Sequence, residues 1–152
     1  MTHHQLTSQK LISFPRLVRR NHRVTSAETD TYNCIAWAAG DTTRWWWPRT
    51  GYWPAGTPDD PLDVGSFIAA YASLGYVVCA DGALEEGFEK IAIFVHPNGF
   101  PTHAALQLET GYWTSKLGTW EDIEHTSEHD VEGNCQFCYG DAHTYMRRSR
   151  AT

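Results

Sequence analysis

"THAALQLETGYWTSKL", residues 102–117, contains two runs of strand-type residues, HAALQL at 103–108 and YWTSKL at 112–117. Between them lies ETG, and a three-residue hairpin loop ending in glycine fits that segment. With Glu109, Thr110 and Gly111 as the loop, Leu108 faces Tyr112, residue 105 lies opposite 115, and residue 103 lies opposite 117. Side chains alternate along a strand, so His103, Ala105, Trp113 and Ser115 share one face. A histidine that opens a strand has a stiff support and one end free for a ligand. Ser115 then sits within diagonal reach of its ring.

Working outward, KIAIFV at 90–95 reads as a strand, Tyr76–Cys79 as a shorter one with Cys79 buried, and AHTYMRR at 142–148 as a last one. Residues 119–125 read as one or two helical turns. Upstream the period changes. In DPLDVGSFIAAYASLGY, Val64, Phe67, Ile68, Tyr71 and Leu74 recur at helical spacing between Asp60-Pro61 and Gly75. A shorter helix is expected from Cys34 to Ala39, with Asp30, Thr31 and Asn33 as N-cap types before it and Gly40 at its stop. Helices first and a mostly antiparallel sheet afterwards make the class α+β. Pro15 and Thr25-Ser26 interrupt the beginning, so residues 1–28 read as a partly ordered arm and residues 29–149 as a single domain.

The 152-residue length suits one core. Trp is the compositional outlier, with seven residues. Trp45, Trp46, Trp47 and Trp53 fall in a proline-rich loop, residues 41–61, that is neither helix nor regular strand. They either cover the core or form an aromatic wall beside Cys34 that stacks on a ligand, with Trp113 as a further candidate. The formal charge is −6 overall but −14 between residues 28 and 145, with the basic residues gathered near the two ends. An acidic body speaks against a nucleic-acid groove. No stretch approaches the roughly 20 apolar residues of a membrane span, and no signal-peptide pattern opens the chain. The expectation is a cytoplasmic protein with no membrane partner, whose cysteines are mostly reduced.

Cys34 carries the chemical question. At the first turn of a helix, the free N–H groups and the helix dipole favour a thiolate. A nucleophilic thiolate also needs a base, commonly histidine. Burial among Ile35, Trp37 and the tryptophan loop opposes both effects. With His103 in reach, the thiol should fall below the roughly 8.5 of a free cysteine; without it, burial wins and Cys34 is a packing residue. The late segment EHTSEHDVEGNCQFC offers zinc-ligand types in His125, His129, Cys135 and Cys138. Their order and spacing do not fit a zinc finger, so neither a metal nor any other cofactor is expected.

The order of a Cys at an early buried helix, a His opening a strand and a polar residue on the next strand resembles the papain-like cysteine hydrolases. It is most similar to their compact bacterial NlpC-type branch. YNCIAWAAGD, RWWWP, YWP, THAALQL, WTSKLG and YG, in this order, resemble an uncharacterised family of small bacterial proteins over roughly residues 11–149. The resemblance implies Cys34 as nucleophile, His103 as base and Ser115 in the third position, where His, Asn or Gln is more usual; Gln107, Glu109 and His125 are rivals for that role. The N–H of Cys34 would supply one oxyanion donor and Asn33 or Tyr32 another. The function implied is hydrolysis of an amide or ester bond through an acyl-enzyme. The substrate would be a peptide, a peptidoglycan fragment or a protein side chain. The rival reading is a binding module without turnover, with the tryptophan loop as its interface.

Overall fold

The computed structural model describes residues 4–150. Its framework is one sheet of seven strands, all paired antiparallel: β1 (His22–Ser26), β2 (Val77–Cys79), β3 (Phe88–Val95), β4 (Pro101–Gln107), β5 (Trp113–Lys116), β6 (Asp122–His125) and β7 (Asp141–Ser149). The order across the sheet is β1-β6-β5-β4-β3-β7-β2. Among the described residues, three short α-helices, α1 (Ser8–Leu11), α2 (Cys34–Ala38) and α3 (Val64–Ala72), and two 3-10 turns, Arg19–Asn21 and Glu128–Val131, complete it. The class is α+β.

The hairpin forms with the register its sequence implies. Leu106 pairs with Thr114 and Gln107 with Trp113. The Leu108 N–H donates to the Tyr112 carbonyl at 2.7 Å, and Gly111 takes the left-handed φ of 92° that the turn requires.

Both faces of the sheet are covered, which explains why β3 reads as a continuous apolar run rather than an alternating one. On one face, Ile91, Ile93, Ala104 and Met146 pack under α2, α3 and the tryptophan loop. Phe67 and Tyr71 of α3 are fully buried there, with Val64, Ile68 and Leu74 beside them, as the helical spacing anticipates. On the other face, Ala92, Phe94, Ala105, Trp113 and Ile123 pack against Leu6, Phe14, Leu17 and Val131.

That second layer differs from the sequence reading. Residues 1–3 lie outside the described residues, but much of the expected arm belongs to the fold: β1 is an edge strand of the sheet, and Leu6, Phe14 and Leu17 are core residues. Residues 122–125 form strand β6 rather than helical turns, because they are paired on both sides, by β1 and β5. Cys79 is half-buried on the short edge strand β2 rather than buried.

The charge asymmetry also acquires a location. Lys10 pairs with Glu28 and Glu121, Arg16 with Glu132 and Arg23 with Glu124; near the other end, Arg147 pairs with Glu85 and Arg148 with Glu89. The basic terminal segments are thus fastened to the acidic body. Among the described residues, no helix is long and apolar enough to cross a membrane.

Candidate functional site

Asn33 caps α2, its side-chain oxygen accepting from the Ala36 N–H at 3.1 Å, and Cys34 is the first helical residue. The Asn33 oxygen also accepts from the Trp46 N–H, and its amide nitrogen donates to the Trp46 carbonyl at 2.7 Å. These bonds tie the helix start to the tryptophan loop and commit the Asn33 oxygen and one of its two amide hydrogens. Tyr32 is committed too, its hydroxyl donating to Asp122 at 3.0 Å.

The Cys34 Sγ lies 3.9 Å from the Thr102 carbonyl, with the Ala104 N–H directed at it. It therefore touches β4 on both sides of His103. A bulge at this point, where Phe94 pairs with His103 but Val95 with Pro101, leaves Thr102 as the extra residue. Burial pushes the Cys34 thiol up to about 11, outweighing the N–H groups of Ala104, Ile35 and Cys34 itself and the Lys116 ammonium, all of which favour the thiolate. The expected fall in the thiol pKa is therefore reversed in this conformation.

The reason is where His103 points. Its ring lies on the opposite face from α2, edge-on to Phe94 and stacked on Tyr139 with centroids 4.0 Å apart and planes 6° from parallel. Cys34 and His103 approach one segment of β4 from its two sides, and no hydrogen bond joins them. Burial, with a smaller contribution from the nearby His125, holds His103 well below the usual imidazole range. It is a neutral ring, so no imidazolium is present to stabilise a thiolate.

Ser115 does meet His103. Its Oγ lies 2.9 Å from the His103 Nε2 and 2.8 Å from the His125 Nε2, while the His125 Nδ1 lies 2.8 Å from the Ser127 carbonyl. This chain fixes the protons. A carbonyl only accepts, so the His125 Nδ1 carries hydrogen. Burial keeps His125 neutral as well, so its Nε2 is an acceptor and the Ser115 hydroxyl donates to it. The Ser115 oxygen then accepts from the His103 Nε2–H. The His103 Nδ1 is left with a bare lone pair, and among the described residues it has no hydrogen-bond partner although fully buried. His125, a rival for the third position, is the second link of the relay. Gln107 instead donates to the Gly82 carbonyl, and Glu109 is exposed beside Arg150.

The remaining candidates separate. Trp46 is buried, its Nε1–H donating to Asp41; Trp47 and Trp53 pack edge-on against Phe67. Trp45 is half-buried. Trp113 lies fully buried on the other face, away from α2, and so belongs to the core rather than to a wall beside Cys34. His129 pairs with Glu132 at 3.0 Å, and Cys135 and Cys138 are joined in a disulfide. The expectation of reduced cysteines is thereby corrected for this pair, and the four zinc-ligand types are dispersed into other bonds.

Two groups escaped the sequence reading. Lys116 is fully buried on the Cys34 face, its ammonium donating to the carbonyls of Thr29, Gly118 and Trp120 at 2.8, 2.7 and 2.5 Å. Tyr139, which covers His103, enters the sequence reading only through the YG motif, with no role attached to it.

A domain of unknown function, DUF7689, matches residues 23–147. The chain belongs to the DUF7689 family. The match agrees with membership of an uncharacterised family and carries no papain-like kinship. No curated protein and no solved structure matches the DUF7689 chain.

Proposed function

We propose that this DUF7689 protein is a thiol-dependent hydrolase of amide or ester bonds, with Cys34 as nucleophile, His103 as base and the Ser115–His125 relay positioning the base. The observation that carries the reading is the bare Nδ1 of His103. The relay holds Nε2 as the donor, so the lone pair is presented at the ring atom nearest the backbone, beside the strand segment that Cys34 touches. A general base needs such an unprotonated nitrogen, and an unpartnered buried polar atom is uncommon. Cys34 sits at a helix start, where the free N–H groups favour the thiolate and the oxyanion of an acyl intermediate. The substrate class is a peptide, a peptidoglycan fragment or a protein side chain.

In the conformation described, the thiol and the imidazole are both neutral and separated by β4. The working state therefore has the Cys34 sulfur and His103 Nδ1 in contact, with the proton passing from Sγ to Nδ1. The thiolate attacks the substrate carbonyl, the amine or alcohol leaves with the proton held on Nδ1, and water then hydrolyses the Cys34 thioester to the acid and the free thiol. The test is intact-mass detection of a covalent adduct after incubation with activated esters and peptide electrophiles, in oxidised and reduced protein. An adduct on Cys34 that is lost in Cys34→Ser and slowed in His103→Gln is expected. No adduct at Cys34 in either redox state would overturn the reading.

The burial of Cys34 favours a second reading, a binding module in which the thiol only packs. It predicts that Cys34→Ala leaves every property of the protein unchanged except a small loss of stability.

A further inference from the structure

Residues 133–140, GNCQFCYG, form a loop pinched at its base. The Gly133 and Gly140 backbones exchange hydrogen bonds at 3.1 and 2.8 Å. The base is fixed: Gly140 has a φ of 80°, and a Cβ there would meet the Val95 carbonyl oxygen at 2.1 Å. Within the loop, the disulfide joins Cys135 to Cys138, and the next residue, Tyr139, lies flat on the His103 ring. The Cys135 carbonyl accepts from the His96 ring at 2.8 Å, which anchors the outer limb.

The two cysteines are unequal. Cys135 is exposed, whereas Cys138 is 6% exposed. An incoming thiolate therefore reaches only one of the two sulfur-bearing residues. Beside it is a cavity of about 400 Å³ lined by Phe14, Leu117, Trp120, Phe137, Tyr139 and Cys135 itself. Phe137, at the loop tip, is 89% exposed. An exposed disulfide bordered by open apolar surface is accessible to exchange with a dithiol, and exposed disulfides are the labile ones.

We propose that Cys135–Cys138 is a thiol–disulfide exchange site for a dithiol reductant, and that its reduction lifts Tyr139 from His103. One thiolate of the dithiol attacks the Cys135 sulfur, the S–S bond breaks, and Cys138 leaves as a thiolate that takes up a proton. The second thiol of the dithiol attacks the resulting mixed disulfide and releases Cys135, which takes up the other proton. The dithiol is oxidised to its disulfide by two electrons, and the loop gains two thiols. Without the cross-link, the segment between the fixed glycine base and the His96 anchor loses its closed geometry, and Tyr139 is released with it. The inference regulates the site proposed above and rests on His103 being its base, but its test does not require turnover.

The experiment uses the full chain, oxidised or treated with dithiothreitol, with circular dichroism to confirm that the reduced protein remains folded. Thiols are counted by alkylation and mass spectrometry under native conditions. Diethyl pyrocarbonate, which reacts with neutral imidazole, then reports access to His103. Native reduction is expected to expose Cys135 and Cys138 to alkylation and to speed His103 modification by about ten-fold or more, as local opening replaces a closed state. The double variant Cys135→Ser/Cys138→Ser should modify as fast as the reduced wild type. A disulfide that resists dithiothreitol until denaturant is added would overturn the exchange site. Ready reduction with an unchanged His103 rate, in wild type and in the double variant, would overturn the uncovering of His103. Absence of a Cys34 adduct in either redox state, with the labelling pattern intact, would instead refute the hydrolase reading and leave the switch in place.

Discussion

The Ser115 hydroxyl bridges two buried imidazoles, so Ser115→Ala tests the relay directly. The variant leaves the His103 Nε2–H without an acceptor and the His125 Nε2 without a donor, in a region where His103 and Ser115 are fully buried and His125 is 1% exposed. An unsatisfied buried polar group costs about 1–3 kcal/mol, so the two together cost about 2–6 kcal/mol. At about 2–4 °C per kcal/mol for a chain of this size, the melting temperature should fall by at least about 4 °C. The tautomers give a sharper readout. Imidazole ¹⁵N chemical shifts in the wild type should place the proton on Nε2 of His103 and on Nδ1 of His125. In Ser115→Ala, His103 loses the bond that selects Nε2 and should populate the Nδ1–H form, which is useless as a base. Ser115→Thr retains the hydroxyl and should retain the tautomer. A wild-type His103 protonated on Nδ1 would refute the proton assignment, and an alanine variant with unaltered melting and tautomers would refute the relay.

Other outcomes follow from the same groups. His103 and His125 have folded-state pKa values below the unfolded value of about 6.5, so the unfolded chain binds protons that the folded one refuses. Stability is therefore full above pH 6.5 and should fall below it by up to about 1.4 kcal/mol per pH unit for each ring. His129, raised by Glu132, works in the opposite sense: its contribution is present below 6.5 and lost as pH rises through its folded value. Its half-exposed position makes that contribution the smaller one. Urea melts from pH 7.5 to 5 should thus weaken on acidification, and a flat profile would show that the two rings are accessible to protons. Lys116→Met removes the ammonium that donates to three carbonyls, and at about 1–3 kcal/mol for each buried group left unsatisfied it should destabilise by at least about 3 kcal/mol in chemical denaturation; near-neutral behaviour would make the amine dispensable. In the oxidised native protein, iodoacetamide at neutral pH should label half-buried Cys79 before Cys34, whose thiol burial raises to about 11. Mass mapping that finds Cys34 first would show that the sulfur is already activated at rest.

What the sequence revealed depended on the range of the interactions involved. The 102–117 hairpin was legible because a glycine-ended loop sets the register locally and alternation then places His103 and Ser115 together. The α3 face was legible from its own periodicity. β6 was not, since DIEH becomes a strand only through partners at β1 and β5. The side of the sheet on which α2 lands is likewise a tertiary outcome; nothing in YNCIAWAAG says that Cys34 and His103 approach β4 from opposite sides. Nor does CQFCYG show that its tyrosine lies over a histidine 36 residues earlier.

The position of β7 bears on how the molecule is made. It is the last of the seven described strands to be synthesised, yet it lies between β3 and β2 and, among the described residues, is the only strand hydrogen-bonded to β2. A nascent chain that has reached residue 140 can close the β3–β4–β5–β6–β1 portion of the sheet, but it leaves one edge of β3 open, along eight residues that include Ile91 and Ile93. An open, apolar strand edge is a template for pairing with another chain. The interval between the emergence of β6 and that of β7 is therefore the aggregation-prone phase of biosynthesis, when a chaperone that shields strand edges has most to offer.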